Sequence, residues 1–501
     1  MPPPRPIRRT GVNVAVSLVG QLIGKASTLA WTLVAARELS RSGYGVFFYA
    51  YALAGLASAV AEWGYDPVLI ERVSRDPDDA DVAYTNAQAA QTALAVPAFT
   101  VAAVLAAASP HAGDDRLAVV LVCLAVLFDL WTDTARAAGA ALRNQVPTSR
   151  ALVIQRGSTA VAAIVTLLLG GGVLGLCAAF LGGSAVGVAA HHAALRGLGV
   201  RLRLRSVRPA ALIATTRECA TLGVTVVVMM ALFRLDAVLL GVFKGDAAVG
   251  AYAVAYRLFE TTLFVTFSVQ GATFPVMAAA GDAPTVGREV SRGLAVAGSV
   301  YAMFFAVCLC DAPGVIRLLF GPDYTHVSAG ALRWLAAAPV CYLAGALCTS
   351  ALQAVRRRPY ILASAVVALA VNVAMNLVLI PRMSGTGAAL ATTVSYAVLA
   401  AVALVGLARA GVRVPLVRAF LPPLLTAAAM VGVLLALPLP TVADVAVATV
   451  VVSAIGLGVL ALRDPQRRWR TPLSLIGRMG GSIPEEVSEA GPGGTVDLSR
   501  D

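Results

Sequence analysis

Ionisable side chains interrupt several long apolar runs of this sequence, and they are the residues whose chemistry most needs explaining. Lys25 lies near the middle of the first run. Arg234 and Asp236 share one later run. Arg257 and Glu260 share the next, three residues apart and therefore on one face of a helix. A charge at the centre of a bilayer costs about 2.5–3.5 kcal/mol on insertion scales, so such groups must face a partner or a water-filled cavity.

Arg234 and Arg257 are candidates for binding an anionic group of a substrate, because a guanidinium group neutralises and hydrogen-bonds anions, and Lys25 is a candidate for lining a central cavity. Asp236 and Glu260 are candidates for tuning that positive charge or releasing the bound group. A closed ion-pair network that fixes helix packing fits the same residues, and Lys25 fits equally well a pairing with a neighbouring helix. The sequence alone leaves these interpretations open.

A second set of charges lies in an earlier apolar run. Asp129, Asp133 and Arg136 follow one another at spacings of four and three, which predicts one stripe of a helix. Asp133 and Arg136 fit a satisfied pair, and Asp129 fits a proton or sodium site about as well as a structural one. Both acids are candidates for coupling or charge tuning. Glu62 and Asp66, also four apart, are predicted to share the second span.

The composition places these charges in a membrane protein. Hydrophobic residues make up 58% of the 501 residues, charged residues make up only 13%, and the mean hydropathy is +0.80. A helical span needs about twenty apolar residues, because backbone groups in lipid must pair with one another. We therefore predict an all-α polytopic membrane protein of about fourteen transmembrane helices, which begin near residues 11, 43, 84, 116, 150, 173, 217, 250, 290, 329, 359, 385, 417 and 442.

The formal net charge of +12 follows membrane topology and does not indicate a nucleic-acid surface. Most arginines fall in loops on one side of the predicted spans, among them Arg196 to Arg208 and the triplet Arg356 to Arg358. Positively charged loops face the cytoplasm. We therefore expect a multi-pass protein of the cytoplasmic membrane with both termini inside, in contact with membrane lipids and not with nucleic acid.

The predicted spans divide into two sets of six. We expect a cytoplasmic segment at 1–10, an N-lobe at 11–195, a basic linker at 196–216, a C-lobe at 217–408, two more helices at 409–463 and a disordered cytoplasmic tail at 464–501. Because six spans return the chain to the same side, the two six-helix lobes are predicted to be parallel repeats around a central cavity.

One segment carries the clearest trace of this duplication, since residues 39–53 align with residues 244–258. Four aligned positions are identical: Gly45 with Gly250, Ala50 with Ala255, Tyr51 with Tyr256 and Leu53 with Leu258. The charges are not repeated, because the second copy has Arg257 and Glu260 where the first has Ala52 and Gly55.

Motifs for covalent chemistry are missing from the sequence. It has no phosphate-cradling glycine motif, and its seven cysteines and four histidines show no metal-ligand spacing. The predicted outer loops are short, whereas a membrane-embedded polymerase or glycosyltransferase is expected to carry a large outer loop with acids, His or Arg. We therefore expect a protein that is not an enzyme and that uses no cofactor or metal.

Three segments carry a further pattern. The first comprises Ala36, Arg37, Leu39, Gly43, Gly45 and Phe47, followed by Gly64 and Arg72. The second comprises Asp236, Gly241, Gly250, Tyr252, Ala255, Tyr256, Arg257, Glu260 and Pro275. The third comprises Asn372, Asn376, Leu379, Ile380, Pro381, Gly387, Ala388, Ala389, Ala391 and Thr392. At these positions the chain resembles the multidrug/oligosaccharidyl-lipid/polysaccharide (MOP) exporter superfamily, and within it the O-antigen type oligosaccharide flippases.

This resemblance implies a transporter that flips a polyprenyl-pyrophosphate-linked oligosaccharide across the cytoplasmic membrane by alternating access, for cell-surface polysaccharide biosynthesis. It implies as partners the lipid-linked oligosaccharide, membrane lipids and glycan-assembly enzymes. A cation-coupled multidrug exporter, which would use an acid such as Asp129 or Asp236, is the alternative within transport. A polysaccharide polymerase or glycosyltransferase and a transport-inactive lipid-binding scaffold are alternatives of other classes.

Overall fold

A computed structural model describes residues 8–108, 113–280 and 282–436, and the regular elements of this part of the chain are all helical. The longer helices are α1 (Arg8–Glu38), α2 (Arg41–Glu62), α3 (Tyr65–Arg75), α4 (Ala80–Ala108), α5 (Gly113–Ala141), α6 (Val146–Leu168), α7 (Gly172–Gly197), α8 (Pro209–Glu218), α9 (Ala220–Lys244), α10 (Asp246–Ala280), α11 (Ala283–Phe320), α12 (Thr325–Leu335), α13 (Ala338–Ala354), α14 (Arg358–Arg409) and α15 (Leu416–Ala436). The predicted all-α polytopic fold is confirmed.

Eleven helical segments in the described residues are long and apolar enough to cross a membrane. One of them, the 52-residue α14, is broken at Ser384 (φ 52°, ψ −136°) and therefore supplies two predicted crossings, 358–383 and 385–409. The 31-residue α1 is long enough to supply one more. The span predicted to begin near 442 and the tail at 464–501 lie outside the described residues.

The second predicted span is interrupted just after Glu62. Trp63 and Gly64 both adopt left-handed backbone conformations, with φ angles of 43° and 75°, and α3 begins separately at Tyr65. A Cβ atom on Gly64 would lie 2.7 Å from the Cβ of Leu222, so both the turn and the close packing favour glycine. Glu62 and Asp66 share one candidate span, Arg41–Arg75, as predicted, but they lie in separate helices because the chain turns between them.

The basic linker between the two sets of spans is folded and anchored. Its helix α8 docks beside the turn after α2, where the Trp63 indole donates to the carbonyl oxygen of Thr216 at 3.1 Å. Upstream of α8, Arg203 forms an ion pair with Asp81 at 2.7 Å. These contacts hold the linker against α2 and α4 of the first set.

Helix α2 is the main contact between the two sets, since it packs on α4 and α5 of its own set and on α9 and α10 of the other. Its crossing with α10 is reciprocal. A Cβ atom on Gly45 would overlap the carbonyl oxygen of Asp246, and one on Gly250 would overlap that of Arg41. The glycines that the sequence alignment pairs are therefore in direct backbone contact with each other's helices.

The end of the bundle that carries this crossing is the end predicted to face outward, and we call it the outer end. There the Arg37 guanidinium donates to the carbonyl oxygens of Leu318 and Leu319, at 2.8 and 3.1 Å. This contact joins the end of α1 to the end of α11.

Replacing Gly45 with alanine should therefore destabilise the protein, because the added methyl group forces α2 and α10 apart. Overpacking of this kind typically costs about 1–3 kcal/mol. Thermal unfolding of the purified protein in detergent measures the effect, and we expect a lower Tm for Gly45→Ala.

Gly157→Ala is the matched control, because Gly157 lies inside α6 and a Cβ atom added there would meet no neighbouring side chain within 4 Å. There alanine favours the helix by about 0.5–1 kcal/mol, so its Tm should stay or rise. Equal melting of Gly45→Ala and the parent protein would contradict the close crossing.

Candidate functional site

Four cationic side chains from four helices converge inside the helical bundle. They are Lys25 on α1, Arg156 on α6, Arg234 on α9 and Arg257 on α10, and the three arginines all act electrostatically on Lys25. Each lies more than two helical turns from either end of its helix. Together with Glu260 of α10 we call them the cationic cluster.

Glu260 holds the centre of this cluster. One carboxylate oxygen accepts from Nη2 of Arg234 at 2.8 Å, and the other accepts from Nη1 of Arg257 at 2.9 Å. The side chains of Arg234, Arg257 and Glu260 are 12%, 10% and 16% exposed. A single carboxylate therefore bridges two largely buried guanidinium groups from two helices and balances one of their two charges.

Aromatic rings from both halves of the chain position the two arginines. The guanidinium carbon of Arg234 lies 4.9 Å from the ring centre of Tyr51 and 6.0 Å from that of Tyr256. Arg257 lies 6.0 Å from the ring centre of Phe48. Cations are attracted to the faces of aromatic rings, so these contacts stabilise both side chains without using up their N–H donors.

Both arginines keep a buried N–H group that makes no hydrogen bond of standard geometry to the described residues. These are Nη1 of Arg234 and Nε of Arg257, and Arg257 also interacts with the phenol of Tyr44. A buried donor left unpaired costs about 1–3 kcal/mol, and more when it is charged. The two atoms therefore indicate a place where an acceptor from outside the chain, such as a phosphate oxygen, would be stabilised.

Arg156, which does not contact Glu260 directly, forms an ion pair with Asp129 of α5. Nη1 of Arg156 lies 3.3 Å from Oδ2 of Asp129, while Oδ1 accepts from Gln155 at 2.6 Å and from Ser184 at 2.7 Å. The Arg156 side chain is 26% exposed, and its stem packs against Gly24 of α1. Asp129 is thus a buried counter-ion of the cluster.

The charges of the cluster do not balance. Lys25, Arg156, Arg234 and Arg257 carry four positive charges, and the two carboxylates that form ion pairs with them, Glu260 and Asp129, leave these six groups with a formal charge of +2. The excess is still +1 when the neighbouring Asp236 is counted. The three arginines are largely buried. The arrangement can therefore attract an anion and hold it with several charge-assisted hydrogen bonds.

Asp133 makes no ion pair with the cluster, and it lies one helical turn after Asp129 toward the C-terminal end of α5. It pairs with Arg136 at 2.9 Å, as its spacing predicts, and both side chains are more than 40% exposed. The pair lines a cavity of about 260 Å³ with Asp66 and Gln21. Gln21 precedes Lys25 by one helical turn, so this polar cavity lies on the same face of α1 as the cluster.

Asp236 is fully buried beside the cluster, and its oxygens are already satisfied. They accept from the hydroxyl groups of Tyr252 at 2.5 Å and Thr392 at 2.9 Å, and from the backbone N–H of Ala237 at 2.7 Å. These bonds tie α9 to α10 and α14. In this structure Asp236 therefore links helices and has no free oxygen directed at the cluster.

The structure thus brings together Lys25, Arg234, Arg257 and Glu260, which the sequence singles out. Arg156 was not found by sequence reasoning. It lies two turns into the span predicted to begin near residue 150, next to the loop arginines assigned to the positive face. The signal available was a lone cation inside an otherwise apolar run, the same signal that identified Lys25.

Among the residues that the structure describes, no group of His, Cys, Asp and Glu side chains could hold a metal ion. The Gln270 amide links α10 to α13, because it donates to the Ala346 carbonyl and to the Ser350 hydroxyl. The Asn376 amide instead donates to Asn372 within α14, at 2.9 Å.

Comparison with known proteins gives relatives that share part of this sequence. The chain is 30% identical over 207 residues to a protein of Haloferax volcanii described as "Probable flippase AglR", a match that covers 40% of this chain and 43% of the relative. It is 23% identical over 167 residues to a probable low-salt glycan biosynthesis flippase of the same organism, covering 33% and 35%. The chain therefore matches less than half the length of either relative.

Solved structures match over much more of the chain. The lipid II flippase MurJ, in an inward closed conformation, superposes with a TM-score of 0.70 at 11% identity, covering 89% of this chain and 99% of MurJ. An inward-facing MATE family transporter of the MOP superfamily superposes with a TM-score of 0.64 at 16% identity, covering 77% and 94%. At these identities the likeness establishes the fold.

The family comparison covers the N-terminal half and the start of the second set of spans. Residues 11–280 match the family described as "Polysaccharide biosynthesis protein". This stretch contains every residue of the cationic cluster. With the MOP-type fold and this match over more than half of its length, the chain belongs to the polysaccharide biosynthesis protein family.

Proposed function

We propose that this protein is a flippase, not an enzyme, and that it moves a polyprenyl-pyrophosphate-linked oligosaccharide across the cytoplasmic membrane for cell-surface polysaccharide biosynthesis. The observation that carries the proposal is the cationic cluster, with its charge of +2 and its two unpartnered arginine N–H groups. The relatives whose names say flippase, and the family to which the chain belongs, support it.

The chemistry of such a substrate explains why the cluster lies so deep. A sugar and diphosphate headgroup cannot cross hydrocarbon unaided, because its polar and charged groups would lose their hydrogen bonds to water. Lys25, Arg156, Arg234 and Arg257 would replace that water with charge-assisted hydrogen bonds. The polyprenyl tail remains in the bilayer beside the protein, so the interior has to accommodate the headgroup alone.

The sign of the charge favours an anionic headgroup over the cationic drugs that a cation-coupled exporter would carry. A site with a formal charge of +2 repels a cation unless its carboxylates dominate, and here Glu260 and Asp129 are both paired with arginines. Moving a net negative charge outward is also favoured by an inside-negative membrane potential, by about 2.3 kcal/mol per charge per 100 mV.

The Arg37 contacts at the outer end, and the cavity lined by Gln21, Asp66 and Asp133 toward the opposite end, support a conformation that loads from the cytoplasmic side. In the proposed cycle, two parallel lobes, 11–195 and 217–408, rock about their interface by alternating access. Release outside then requires the Gly45 and Gly250 crossing and the Arg37 contacts to separate. Both termini are proposed to be cytoplasmic, and glycan-assembly enzymes are proposed partners.

The two lysines of the chain provide a matched test of the cluster. Lys25→Ala should reduce movement of the diphosphate-linked glycan by about tenfold or more, because a lost hydrogen bond to a charged group costs about 1.5–3 kcal/mol. The measurement is the fraction of fluorescent lipid-linked glycan that becomes accessible to a membrane-impermeant quencher in proteoliposomes.

Lys244→Ala is the control, since Lys244 is exposed at the end of α9 and outside the cluster. We expect it to transport like the parent protein. Full transport by Lys25→Ala, at equal amounts of folded protein, would remove Lys25 from the site.

Substrate charge separates the proposed function from its alternatives. The same proteoliposomes should move the diphosphate-linked glycan without covalent change and should not accumulate an organic cation. Arg257→Gln should lose this movement, because it removes a cation that faces the headgroup. Cation accumulation would indicate a drug exporter, and lengthening of the glycan would indicate a polymerase.

A further inference from the structure

Glu260 occupies the position in which an anionic ligand would be expected. Its two oxygens bridge Arg234 and Arg257 at 2.8 and 2.9 Å, the geometry in which a phosphate would also bridge two guanidinium groups. A ligand phosphate and the Glu260 carboxylate therefore compete for the same N–H donors, apart from the two that are now unpartnered.

The charged groups that face Glu260 come from three helices and are all cationic. Arg234 on α9, Arg257 on α10 and Lys25 on α1 each stabilise its negative charge. The nearest other carboxylate to act on Arg234 is that of Asp236, whose oxygens are occupied by Tyr252, Thr392 and Ala237. When these cations bind a ligand, Glu260 is therefore the carboxylate that loses its partners and whose protonation changes.

The phenol groups around the cluster complete its titratable surroundings. Tyr44 and Tyr51 on α2 face Arg257, and Tyr256 on α10 faces Arg234.

We propose that Glu260 is a built-in counter-anion which a phosphate-bearing ligand displaces from Arg234 and Arg257, and that it takes up one proton as it is displaced. The proposal rests on the proposed function, because it assumes that the cluster binds phosphate. The only bonds that change are O–H bonds. A proton passes from hydronium or a buffer acid to a carboxylate oxygen of Glu260, which leaves water or the conjugate base, and the resulting hydroxyl can donate to the bound anion.

The sign of this coupling follows from the charges. In the empty site the three cations favour ionised Glu260, whereas a bound anion draws those cations away and adds negative charge nearby. Both effects favour the protonated form of Glu260. By linkage, a lower pH must then strengthen anion binding by the same factor. Proton and anion bind together, so this site carries them in the same direction and does not exchange one for the other.

Sulfate is a suitable probe, because it is a tetrahedral dianion whose own charge is constant over the range tested. Its affinity for the full-length protein in lipid nanodiscs should rise as the pH falls from about 8 to about 5. The limit for one proton per anion is about tenfold per pH unit. Glu260→Gln should bind sulfate more tightly than the parent at about pH 8 and should lose most of the pH dependence.

Glu289→Gln, near the start of α11 and outside the cluster, is the matched control and should retain the pH dependence of the parent protein. A second measurement does not depend on any variant. Sulfate added to the parent protein in weakly buffered solution should cause uptake of protons, approaching one per bound anion.

Two outcomes overturn the proposal in different ways. If sulfate binds equally at every pH without proton uptake, and Arg257→Gln abolishes that binding, Glu260 is a fixed structural partner and the anion site itself survives. If neither the parent nor Glu260→Gln binds sulfate at any pH, both the competition and the proposed phosphate site are rejected.

Discussion

A single carboxylate shared by two arginines inside the bundle is the interaction on which the rest of this structure depends. Glu260 can neutralise only one of the two guanidinium charges that it contacts. Lys25 and Arg156 add two more cations, and Asp129 removes one. Burying such an excess is costly unless water or a ligand supplies negative charge, so the structure makes sense as a site prepared for an anion.

The scaffold holds this excess charge by close backbone contact. Gly45 and Gly250 let α2 and α10 cross with no side chain between them. Farther along the same helices, Tyr51 and Tyr256 lie on either side of Arg234. The residues that match in the proposed repeat thus build the support, while the charges that differ between the two copies provide the binding chemistry. Gly55, the counterpart of Glu260, leaves space in which Arg234 packs.

The sequence was sufficient for most of the fold, because each span must satisfy its own backbone and must be apolar over about twenty residues. The cations Lys25, Arg234 and Arg257 were recognisable for the same reason, since charge is rare in such runs. Contacts between residues distant in sequence could not be recognised from the sequence. The bonds from Tyr252 and Thr392 to Asp236 depend on packing between helices, and so does the Asp129 pairing that identifies Arg156. The turn after Glu62 could not be predicted, because one of its two residues with positive φ is a tryptophan, a residue type that seldom adopts that conformation.

Phosphate binding between Arg234 and Arg257 is tested most directly by a structure of the protein with a bound polyprenyl diphosphate. We expect phosphate oxygens within about 3 Å of Nη1 of Arg234 and Nε of Arg257, with Glu260 moved away from at least one guanidinium group. A headgroup bound elsewhere, with both Glu260 contacts unchanged at 2.8 and 2.9 Å, would contradict this role for the two arginines.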